Sequence, residues 1–194
     1  AFPILSYQRG TGILDEEAPS NSGLSLSNLE VFLVGYLATT SGFITLIPDY
    51  VGLGNPNLYH PYHIKDSYIR AVVHMIRAVK QLSKFLPIEN SFQNNDQLFL
   101  AGYSEGGYAT LAAQSGIESN YNEEITITAS FPMAGAYDLA GTMVDYFLSE
   151  PQYENPYYVP YVLTSHIWYY QGLNTDLNMY FEPYWAENLP TLYL

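Results

Sequence analysis

Ser104 stands in the run Gly102-Tyr103-Ser104-Glu105-Gly106, with a further glycine at 107. A serine with glycine two residues away on each side fits G-x-S-x-G, the pattern of a nucleophile carried on a tight strand-to-helix turn. The backbone at such a serine is strained, and a side chain at Gly102 or Gly106 would collide with neighbouring chain. The turn also places the hydroxyl at the start of a helix, where unpaired N–H groups and the dipole favour a developing oxyanion. A serine hydroxyl is a poor nucleophile until a base takes its proton, so a histidine oriented by a carboxylate must complete the site. Of four histidines, His60, His63 and His74 precede Ser104 and only His166 follows. Behind such an elbow the chain order is serine, acid, histidine, which Asp138 or Asp145 with His166 satisfies formally. Yet His166 lies in TSHIWYY, which reads as a helical aromatic patch and not as a loop after a final strand. The expectation is therefore that the acid and the histidine lie on a missing C-terminal part of the core or on a second chain. The oxyanion also needs two backbone donors: the N–H of Glu105 and one from an earlier loop, for which RGTG at 9–12 offers Thr11, with Gly10 adjacent.

The motif alone recurs by chance, so its setting decides its weight. QLFLAGYS (97–104) reads as a buried strand immediately before the serine. GGYATLAAQSG after it reads as a closely packed helix ended by Gly116. Upstream, residues 2–8 and 42–49 read as buried parallel strands. Between them, residues 29, 32, 33, 36 and 37 mark the apolar face of a helix. From Asp66 or Ser67 as cap, Ile69, Val72, Val73, Ile76 and Val79 mark a stronger helix whose basic residues form a solvated face. Residues 124–135 alternate like a strand. Strands alternating with helices predict a mostly parallel sheet with helices on both faces. After Asp138 the pattern stops: residues 139–194 carry 14 aromatics in 56 positions, and prolines at 151, 156, 160, 183 and 190 divide them into short pieces. The expected organisation is a core over 1–138 and a mainly helical, aromatic-rich cap insertion over 139–194.

Composition narrows the partners. All six Lys and Arg lie in residues 1–84, whereas residues 85–194 hold thirteen acids, within a net charge of −13. Such a surface repels phosphate backbones and anionic headgroups, so nucleic acid is disfavoured and a neutral substrate favoured. No cysteine is present, which excludes disulfides and thiolate metal sites. No run of 18 apolar residues suggests a transmembrane segment, and no metal or organic cofactor is implied.

With those residues on the page, the chain resembles the secretory-lipase-like branch of the α/β-hydrolases. The likeness rests on YQRGTG as the oxyanion loop, PDYVGLG (48–54), AGYSEGG as the elbow, and GAYDLAGTM followed by ENPYYVPY leading into a cap. It implies Ser104 as nucleophile, Thr11 and Glu105 as oxyanion donors, Asp49 as a brace near the elbow, and residues from about 139 as a cap over the acyl pocket. Arg9 departs from the histidine usual before the glycine. The resemblance also implies secretion or a periplasmic location; the expected activity is that of a carboxylic-ester hydrolase, and the apolar cap leaves lipid and aryl esters both open. A peptidase or acyltransferase on the same fold, and a binding protein with an incomplete triad, are the alternatives.

Overall fold

The computed structural model describes residues 1–55, 58–87, 92–149 and 152–193. The opening apolar run forms β1 (Phe2–Gln8), followed by β2 (Ile44–Leu46), β3 (Asn94–Tyr103) and β4 (Ala129–Met133). All pair in parallel, in the order β2-β1-β3-β4. The short α1 (Pro19–Ser22) and the longer α2 (Leu29–Thr40) link β1 to β2. Helix α3 (Lys65–Phe85) links β2 to β3, and α4 (Glu105–Asn120) links β3 to β4. Parallel crossovers are right-handed. The step from β1 to β2 runs one way across the sheet and the later steps run the other. Helix α2 therefore covers one face, and α3 packs against α4 on the opposite face. The expected α/β architecture, a parallel sheet with helices on both faces, is present.

Buried Ile4, Leu98 and Leu100 of the sheet meet Val72, Val73 and Ile76 of α3 and Ala109, Ala113 and Ile117 of α4. Beyond β4 the chain forms α5 (Thr142–Ser149), α6 (Tyr158–Tyr169) and α7 (Pro183–Tyr193). Helices α6 and α7 join a second apolar cluster, in which Tyr161, Leu189 and Tyr193 surround Tyr62. Among the described residues, no helix is long and apolar enough to cross a membrane.

Several local expectations change. Helix α3 begins at Lys65 with Ile64 as N-cap, not at an Asp66 or Ser67 cap; Asp66 instead places its charge in the first turn, and Ser67 is buried. Helix α2 turns Val31 and Gly35 inward, with Gly35 pressed against the Leu24 side chain, and leaves Leu29, Leu33, Tyr36 and Leu37 exposed. Gly116 does not end α4. The helix continues to Asn120, and Gly116 is where Ile69 of α3 presses so close that a Cβ would meet its methyls at 2.7 Å. The strand expected over 124–135 is confined to Ala129–Met133; Ile125 joins the core from outside the ladder. The strand expected over 42–49 shortens to Ile44–Leu46. Pro160 and Pro190 lie within α6 and α7, and Pro183 opens α7, where its missing N–H has no intrahelical acceptor. Pro151 lies outside the described residues.

Candidate active site

The strand order reverses between β1 and β3, and in open α/β sheets a crevice forms at the carboxyl ends of the strands at that point. Ser104 stands there, between the end of β3 and the start of α4, with φ 59° and ψ −122°. Such a backbone is costly for a residue with a side chain. The surrounding structure enforces it. Ser104 donates its N–H to Met133 O at 3.0 Å, and its carbonyl accepts from Gly107 and Tyr108. A Cβ on Gly102 would fall on Gly106 O, one on Gly106 on Gln8 O, and one on Gly107 on Met133 O. The three glycines thus let the turn close against β1 and β4 at once. Gln8, at the end of β1, also hydrogen-bonds the Thr110 hydroxyl of α4 at 2.8 Å.

Glu105 is the first residue of α4, so its N–H has no acceptor within the helix. Its side chain is buried. Oε1 lies 2.8 Å from His60 Nε2 and accepts from the Tyr68 hydroxyl at 2.8 Å. Of the loop after β1, Gly10 donates its N–H to the Glu30 carboxylate at 2.9 Å, so that donor is occupied in this structure. Glu30 also accepts from Tyr7, and burial is the main cause that raises the Tyr7 hydroxyl well above its usual range. No protein acceptor meets the Thr11 N–H among the described residues; its hydroxyl lies 2.9 Å from Tyr62 Oη. Arg9 is buried below this loop and spans it, donating to Gly10 O.

Ser104 opens onto a cavity of about 340 Å³. Tyr62 and His63 line it beside Ser104 and Glu105, and Leu139, Met143, Phe147, Tyr158 and Val162 line it from the later helices. Its wall is mainly apolar.

None of the other singled-out residues is hydrogen-bonded to Ser104 among the described residues. Asp138 accepts the N–H groups of Gly141 and Thr142 and the Thr142 hydroxyl, which caps α5. Those bonds, the Thr142 N–H first, hold its carboxyl below the usual range. Asp145 lies in the first turn of α5. His166 lies within α6 with Nδ1 2.9 Å from Val162 O, and no bond joins it to Asp138 among the described residues. Asp49 accepts from Ser20 N–H and braces α1. Sequence reasoning did not pair His60, Tyr68 and Glu105. The one available signal is a histidine shortly after PDYVGLG, and nothing in its spacing points to residue 105.

Comparison with known proteins places the chain in a family and matches its fold. The sequence profile of a secretory lipase family matches residues 18–145. A Legionella pneumophila protein described as a hydrolase by assignment is 26% identical, with a TM-score of 0.83, over 99% of this chain and 49% of its own. The rice cell wall degrading esterase LipA from Xanthomonas oryzae is 22% identical, with a TM-score of 0.84, over 99% and 49% respectively. This chain spans about half the length of both. Among curated proteins no match is found.

Proposed function

The chain belongs to the secretory lipase family, and from that premise we propose that Ser104 is the nucleophile of a carboxylic-ester hydrolase working through an acyl-enzyme. The observation that carries this reading is a serine held at φ 59° on the β3–α4 turn and facing a largely apolar cavity. The Ser104 hydroxyl attacks the ester carbonyl while a base takes its proton. The oxyanion is held by the N–H groups of Glu105 and Thr11, and each such donor contributes on the order of a hundred- to a thousandfold in rate. Collapse breaks the ester bond, and the alcohol leaves with the proton from the base. Water then adds to the acyl-enzyme and frees the acid.

The base and its carboxylate belong, in this proposal, to residues outside 1–194, on the same protein or on a second chain. Each histidine here has another setting: His60 is paired to Glu105, His74 is exposed on α3, His166 is bound within α6, and His63 makes no hydrogen bond to Ser104 among the described residues. Residues 1–138 form the core part and the helices after 139 the cap, whose apolar side chains bind the acyl group. A neutral lipid or aryl ester suits this lining and the acidic chain. The family name supports export.

Fluorophosphonate labelling of the intact protein, with and without Ser104→Ala, tests the nucleophile. Labelling of wild type alone is expected, and an unlabelled, folded wild type refutes it. A panel of p-nitrophenyl esters and matched amides tests the reaction class. Cleavage of amides alone would replace the esterase reading with a peptidase.

A further inference from the structure

His60 is enclosed on every side. Its ring stacks on Tyr50 at 5.7 Å, its Nδ1 lies 2.8 Å from Val51 O, and its carbonyl accepts from Ser165 of α6. Its Nε2 meets Glu105 Oε1 at 2.8 Å, and both side chains are at most 2% exposed. Tyr50 also donates to Arg9 O at 2.9 Å, which connects this group to the loop that carries Thr11.

The proton count follows from the partners. Val51 O can only accept, so Nδ1 carries a proton. Tyr68 accepts the His63 N–H and gives its own proton to Glu105 Oε1. The contact between Nε2 and Oε1 therefore holds one proton. Whether that proton sits on nitrogen or oxygen, the pair has no net charge. The geometry matters because Glu105 also supplies the N–H proposed to hold the oxyanion. An uncompensated buried carboxylate one residue from Ser104 would oppose the negative charge that forms there.

We propose that His60 is a positioning residue for the elbow: through Glu105 it fixes the N–H that receives the oxyanion and cancels the carboxylate charge that would repel it. The proposal rests on the reading of Ser104 as nucleophile. Besides Tyr50 and Tyr68, the charged or titratable groups around the pair are Arg9 beneath the oxyanion loop, Glu30 on Gly10, the imidazole of His63, and Tyr62 and Tyr161, whose rings lie 6.1 Å from that of His60. None of them hydrogen-bonds to Glu105 among the described residues.

The test uses the intact protein with His60→Gln, Glu105→Gln and the double variant, measuring kcat and KM on a p-nitrophenyl ester, fluorophosphonate labelling and Tm. Glutamine at 60 can hydrogen-bond the carboxylate and cannot neutralise it. His60→Gln is expected to lower kcat about a hundredfold or more with KM within about threefold, as loss of oxyanion stabilisation requires. The double variant has no charge to cancel and is expected to recover to within about tenfold of wild type. A double variant no better than His60→Gln, or a His60→Gln loss below about threefold, overturns the proposal. If His60→Gln does not fold, Glu105→Gln decides. A loss under about tenfold supports the charge argument, and a hundredfold loss at unchanged Tm overturns it. Wild type unlabelled at Ser104 refutes the nucleophile and this inference together, whereas labelled wild type with an indifferent His60→Gln refutes this inference alone.

Discussion

Beside Ser104, His63 combines a φ of 56° with an imidazole whose two nitrogens have no hydrogen-bond partner among the described residues. Burial lowers its pKa from an ordinary 6.5 to about 4, against an opposing pull from Glu105. Between those values the unfolded chain binds a proton that the folded chain does not, so the His63 contribution is whole above pH 6.5 and is lost as pH falls towards 4. A difference of that size corresponds to roughly 3 kcal/mol. His63→Asn, with a side chain that tolerates positive φ, is expected to flatten the fall in Tm between those two pH values, read by thermal melts of both proteins. At this scale the sequence is legible only where the chemistry is local. Ser104 and its glycines are adjacent in the chain and announce the turn. The bond from His60 to Glu105 spans 45 residues and reaches the sequence through no spacing rule.

Asp138 shows how one residue can fit a catalytic order and serve an element instead. Its oxygens close the first turn of α5, so Asp138→Ala is expected to lower Tm modestly, as loss of a helix cap does. Ser104 labelling should persist, and its loss at unchanged Tm would restore Asp138 as the acid. Among the elements, α3 was readable because Ile69, Val72, Val73 and Ile76 are buried at helical spacing. The face of α2 was not, because Val31 and Gly35 are its buried residues while the larger apolar Leu29, Leu33, Tyr36 and Leu37 are exposed. Gly116 carried an ambiguous signal, since glycine both ends helices and admits close neighbours. The β-branched run at 125–128 failed as a strand for another reason: Thr128 Oγ1 accepts the Leu98 N–H at 3.0 Å, so a side chain makes a bond the ladder would have made.

Across the whole molecule, the parallel alternation was visible from residue types, whereas the strand order, which brings loop 9–12 to Ser104, was not. Strand β4 pairs with β3 alone among the described residues, and Phe131 and Met133 on it are exposed. An apolar edge of this kind invites another strand. Residues 1–194 produced alone are therefore expected to self-associate, and Phe131→Lys to reduce the association, both measured by sedimentation at several concentrations. The contact of Gly106 with Gln8 reaches further than local fit. Thr110 and Gln8, which bond across the same junction, are 102 residues apart. Closing so large a loop is slow compared with forming a helix such as α3. The proposed oxyanion hole is therefore expected to form only when the centre of the sheet closes, late in folding, and the proposed nucleophile to become reactive only then.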